Sequence, residues 1–149
     1  MPRALFTFTK GWVSKMTGAS LPLLWRKFPE RYLMQGNKCE NCGTSFFPAR
    51  IVCPNCRRKG KLVPEEMPRE GKIFTFTEVF SGPYGFEHET PYFIAIIELE
   101  NKAKLLSQIV DSEKDKIKIG TKVEKVFRKI SDIDPEGPIA YGYKFKVVY

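Results

Sequence analysis

The sequence is poor in the residues from which most active sites are built. It has one histidine, His88, held between Glu87 and Glu89. Flanked by carboxylates in a turn-rich stretch, that residue reads as a solvated loop histidine. There are four cysteines, all in two tight pairs, so no Ser/His/Asp or Cys/His arrangement survives if they hold a metal. No apolar run approaches the roughly 20 residues of a membrane helix. Met1 to Trp12 has too short an apolar stretch, and no small-residue cleavage site, for a secretory signal. Glutamine occurs only at Gln35 and Gln108 while lysine is abundant, a balance that leans toward a thermophile. These absences argue against catalysis by the chain alone. They lead us to expect a cytoplasmic protein, where reduced thiols favour metal over disulfides.

What is present centres on the cysteines. Cys39-Glu40-Asn41-Cys42 and Cys53-Pro54-Asn55-Cys56 each carry the two-residue gap that turns two thiolates onto one ion. Ten residues separate the pairs, enough for a strand and a return. Four thiolates make a closed tetrahedral site, the form of structural zinc, with no open position for chemistry. Iron fits such knuckles too, but zinc is the usual occupant in a purely structural role. A module of about 30 residues cannot bury enough surface to fold alone, so the metal has to supply the difference, on the order of 10–16 kcal/mol.

Charge is unevenly spread. The chain carries +8 overall, and residues 1–70 account for all of it, with 13 basic against 5 acidic residues; residues 71–149 balance at 12 against 12. Lys38, Arg50, Arg57, Arg58, Lys59 and Lys61 surround the cysteines. They either offset the local charge of about −2 on a tetrathiolate zinc or form an anion-binding surface.

The pattern along the chain suggests three parts: an N-terminal arm and helical segment (1–36), a zinc ribbon (37–66) and a β domain (67–149). Residues 1–19 show few periodic signals beyond a possible turn of helix near Trp12. Leu21, Leu24, Trp25 and Phe28 then recur at helical spacing, and Pro29 is expected to end that helix. Their stripe serves either intramolecular packing or a partner's groove. Arg31 to Lys38 reads as an extended lead into the first knuckle, and Val63 to Glu70, with two prolines, as a linker. Five strands follow, near 72–80, 92–99, 103–110, 121–130 and 139–148, with a polar excursion between the third and fourth. In the first, Ile73, Thr75, Thr77 and Val79 share a face. That count and order suit a five-stranded Greek-key barrel of the OB type, with an open sandwich as the alternative.

The order of motifs is similar to that of a known family. A helix is followed by Tyr32-x-x-x-Gly36-x-Lys38-Cys39-x-x-Cys42-Gly43, by Phe46-Phe47-Pro48-x-Arg50, by Cys53-Pro54-x-Cys56, and finally by Tyr141-Gly142-Tyr143-Lys144-Phe145. Over roughly residues 20–149 this resembles the OB-fold acyl-CoA-associated proteins, which join a rubredoxin-like zinc ribbon to an OB domain. Archaeal members resemble the small third component of the acetoacetyl-CoA thiolase/hydroxymethylglutaryl-CoA synthase complex. The resemblance implies a non-catalytic scaffold of the mevalonate pathway that bridges those two enzymes, or another thiolase-like partner, and supports transfer of the acyl-CoA intermediate. It implies structural zinc on Cys39, Cys42, Cys53 and Cys56, with coenzyme A reaching the complex through the partner enzymes.

A scaffold needs apolar anchors, for which Trp12, Trp25, Phe28, Tyr84 and Phe86 are candidates. Arg50, Arg57, Arg58 and Lys144 are candidates for the nucleotide end of coenzyme A. Set against that, Arg50 reads as support for the metal site and Lys144 as an exposed strand position. The competing class is a zinc-ribbon/OB nucleic-acid-binding protein. Its binding strands would offer Tyr92, Phe93 and one basic residue, Lys104, which is too little for a positive groove with stacking rings.

Overall fold

The computed structural model describes residues 21–83, 86–131 and 139–149, so the expectations for residues 1–20 and for Tyr84 fall outside it. Two short helices come first, α1 (Leu21–Arg26) and α2 (Phe28–Leu33). Pro29 does not end a helix; it stands in the first turn of α2. There its missing N–H costs nothing, because first-turn amides have no intrahelical acceptor. The break falls earlier, at Lys27, with ψ at 0°. Arg31 to Leu33 is therefore helical rather than extended. The helix stops at Met34, which turns into the left-handed region at φ 52° and hands its N–H to the Pro29 carbonyl.

The ribbon is a three-stranded antiparallel sheet of β1 (Gln35–Cys39), β2 (Ser45–Phe46) and β3 (Leu62–Glu66), in the order β2-β1-β3. The first cysteine pair lies in the β1–β2 turn, as its spacing suggests. Residues 62–66, in contrast, are a strand and not part of a linker: Val63 and Pro64 pair with Lys38 and Asn37. A proline is tolerated there because β3 is an edge strand whose outer side needs no donor.

The barrel is built from β4 (Glu70–Val79), β5 (Tyr92–Leu99), β6 (Lys104–Ile109), β7 (Lys122–Ser131) and β8 (Ala140–Val147), closed in the order β4-β5-β6-β8-β7. This is the OB arrangement, and all five strands fall within two residues of their expected positions. The face expected for Thr75 and Thr77 does need correction. A bulge between Ile73 and Thr75 shifts the register, so Phe76 stands opposite the buried Ala95 and Glu78 opposite Phe93. One extra residue moves every later side chain to the other face. The seam between β6 and β8 is narrow, with a single parallel pair, Ile109 with Phe145.

The ribbon and barrel share one core. Ile73, Ile97, Val123 and Phe145 fill the barrel, and Met34, Phe47 and Met67 continue the same cluster toward the ribbon. Truncating a ring as buried as Phe145 costs about 3–5 kcal/mol. Aromatic contacts extend the link to the helices. Phe28 stacks on Tyr32 at 4.3 Å, Tyr32 meets Phe127 at 5.0 Å and Phe127 stacks on Tyr141 at 5.8 Å. Phe47 of the ribbon packs edge-on against Tyr143 at 5.5 Å.

Candidate metal centre and docking surfaces

The two knuckles are built alike. In the first, the Gly43 N–H bonds the Cys39 carbonyl at 2.8 Å; in the second, the Arg57 N–H bonds the Cys53 carbonyl at 2.8 Å. Each closing residue lies in the left-handed region, Gly43 at φ 71° and Arg57 at φ 53°. Glycine adopts this freely, whereas arginine there gives up roughly 1–2 kcal/mol. Gly60 is required for a different reason. A Cβ on it would stand 2.6 Å from Cys53 Cβ and 3.3 Å from Cys39 Sγ, so the chain passes too close to the thiols for any side chain.

The four Sγ atoms lie within 4.8 Å of one another, and Cys42 and Cys53 approach to 3.6 Å. A zinc tetrahedron with Zn–S of about 2.3 Å has sulphur–sulphur edges of about 3.8 Å. The residues present therefore fit a structural zinc. Cys39 and Cys53 are buried, and Cys42 faces solvent. Hydrogen bonds with the Thr44 side chain and backbone bring the Cys42 thiol down to about 6. Desolvation pushes the Cys56 thiol up to about 11, with the Asn41 amide on its sulphur pulling the other way.

The other expected site residues do not converge. The α1–α2 stripe stays largely uncovered by the described residues: Trp25 is 81% exposed, and Leu21 and Phe28 are also exposed. Packing against the described residues thus accounts for little of it. With Tyr32, Ile139 and Tyr141, these side chains border an apolar groove of about 580 Å³ whose lining includes Arg31. Tyr141 stood out in the sequence as part of a motif, but its place on this wall depends on the tertiary fold. Phe86 lines a smaller cleft of about 330 Å³ with Pro83, Tyr92, Ile94 and Leu106.

Arg50 lies 5.4 Å over the Phe46 ring, and its backbone N–H is accepted by Asn37 Oδ1 at 3.2 Å. These contacts tie it to Phe46 and Asn37 of the ribbon rather than to the cysteines. Lys144 is not an exposed strand position. It is 7% exposed, with its Nζ 3.4 Å from Glu89 Oε2. Gln108 donates to the same oxygen at 2.8 Å. Glu89, from the β4–β5 loop, thus spans the narrow seam between β6 and β8. No nearby motif marked that residue in the sequence.

Comparison with known proteins agrees with this architecture. Residues 36–62 match the family described as the ChsH2 rubredoxin-like zinc ribbon domain, and residues 64–128 the ChsH2 C-terminal OB-fold domain. A DUF35 domain-containing scaffold protein of Methanocaldococcus jannaschii is 46% identical over 124 residues, covering 83% of this chain and 88% of the relative. Its counterpart from Methanothermobacter thermautotrophicus is 47% identical over 122 residues, covering 82% and 92%. Among solved structures, the Ltp2-ChsH2(DUF35) aldolase is similar with a TM-score of 0.58 at 26% identity, over 74% of this chain and 81% of that one.

Proposed function

Because the chain belongs to the family of DUF35 domain-containing scaffold proteins, we propose that it is a non-catalytic adaptor. In this reading it joins acetoacetyl-CoA thiolase to hydroxymethylglutaryl-CoA synthase and supports passage of the acyl-CoA intermediate between them. The observation that carries the reading is the α1–α2 face: a groove of about 580 Å³ bordered by Trp25 at 81% exposure. An aromatic that the described residues leave uncovered, beside an apolar recess, has the make-up of a protein–protein anchor. The metal centre fits the same role. Four thiolates leave a zinc no open coordination position, so the ion fixes the ribbon's shape and supplies no reaction step.

Coenzyme A enters through the partner enzymes in this account. Lys144 is committed to Glu89 and is not offered to a phosphate. The test is native co-purification of the full chain from its source cells, with each recovered protein identified. Recovery of a thiolase together with the synthase supports the proposal. Recovery of RNA, with binding that weakens steeply as salt rises, would replace it with the nucleic-acid reading.

A further inference from the structure

The basic residues around the cysteines divide into two groups. Lys38 and Lys61 are paired with the ribbon's own carboxylates, Glu65 at 3.8 Å and Glu40 at 2.8 Å. Arg57, Arg58 and Lys59 are exposed, and among the described residues they meet no carboxylate. Nor do they solvate the thiols. The sulphurs' hydrogen bonds are with the Asn41 amide on Cys56 at 3.2 Å, the Cys56 N–H on Cys53 at 3.5 Å, Thr44 beside Cys42, and one another. Among the described residues, the side chains of these three cations are thus exposed and hydrogen-bonded to none of the thiols.

They flank an unusual apolar tip. The antiparallel bridge between Cys53 and Arg57 makes the second knuckle a tight hairpin. Residues 50–52 lead into it and residues 57–59 lead out. Ile51 is 98% exposed and Val52 56% exposed. A single exposed aliphatic residue needs no explanation. Two in sequence, on a knuckle stiffened by metal ligands and bordered by unpaired cations, reproduce the apolar centre and charged rim of a protein interface. A groove of about 410 Å³ lies beside the tip, lined by Arg50 and Ile51 and, from the helices, by Arg26, Pro29 and Glu30. Single-stranded nucleic acid would want stacking rings beside the cations, and Ile51 and Val52 cannot stack.

We infer that the second knuckle is a docking prong, with Ile51 and Val52 entering an apolar recess of a partner enzyme whose rim is acidic and faces Arg57, Arg58 and Lys59. The inference rests on the adaptor reading above and deepens it by stating the chemistry of the partner's surface.

The test uses the full zinc-loaded chain, purified thiolase and synthase from the same source, and two variants, Arg58→Glu/Lys59→Glu and Ile51→Ser. All the substituted side chains are exposed, and zinc content and melting temperature check that both variants fold. Each variant is expected to bind one of the enzymes at least about tenfold more weakly, and charge reversal to abolish the salt dependence of that binding. Wild-type affinity in both variants overturns the inference while leaving the adaptor reading intact. Failure of the wild-type chain to bind either enzyme removes that reading, and this one with it. A third arm uses a 30-nucleotide single strand. If the wild-type chain binds it and Arg58→Glu/Lys59→Glu does not, with enzyme binding unchanged, the prong serves nucleic acid and the inference is overturned.

Discussion

Single residues decide the chemistry of the metal centre and of the barrel seam. Cys42 titrates near 6 and Cys56 near 11 in the metal-free tetrad. Zinc binds thiolates, so loading has to expel whatever protons the thiols still hold. At pH 7 Cys42 is already ionised, whereas Cys56 gives up its proton to the metal. The Cys56 proton should therefore appear in calorimetric titrations at both pH 7 and pH 5.5, in buffers of different ionisation enthalpy, and a contribution from Cys42 should be added only at the lower pH. Because protons compete with the ion, affinity should fall as pH falls.

At the seam, Lys144 is buried against Glu89. Removing the carboxylate leaves an uncompensated ammonium, while removing the lysine leaves a carboxylate still in reach of water and of Gln108. Glu89→Ala should cost about 1–3 kcal/mol and Lys144→Met less, read from urea midpoints. The opposite order would show that the pair does not hold the seam.

Among the elements, the pair α1–α2 is the one whose sequence pattern and structure part most clearly in meaning. Leu21, Leu24, Trp25 and Phe28 announce one amphipathic helix, and two short ones form, with Phe28 opening the second. What the spacing does not reveal is that the other described residues leave the apolar face open, because that depends on how β7 and β8 pack under Tyr32. Pro29 was misleading for a local reason, since a helix breaker and a first-turn proline look alike until the preceding residue's ψ is known. Pro64 in β3 raised the same ambiguity, resolved only by the strand's edge position. With its side chain mostly in water, Trp25→Ala should change stability by less than about 0.5 kcal/mol. If the face is a docking site, the same change should weaken partner binding by about 2 kcal/mol or more. A melting curve and a binding isotherm on one preparation separate the two effects.

Taken whole, the molecule is more unified than its three sequence segments suggest. The cysteine spacing and the strand periodicity were legible because each depends on neighbours in sequence. The joining of ribbon to barrel was not, because Met34, Phe47 and Met67 carry no pattern that marks them as shared core. Since the core is continuous, loss of the metal should be felt in the barrel. Chelation, or Cys42→Ser, should lower the melting temperature of the entire chain, and the zinc-loaded protein should unfold in one transition by both near- and far-ultraviolet dichroism. A barrel that melts unchanged after chelation would mean the two parts are energetically separate.

If this chain joins two enzymes without performing chemistry itself, mass photometry of the purified chain mixed with thiolase and synthase should show a particle containing all three proteins that forms only when the chain is present. The chain alone should turn over neither acetyl-CoA nor acetoacetyl-CoA. Two enzymes that stay apart in its presence, or an isolated chain that turns over either thioester, would contradict that reading.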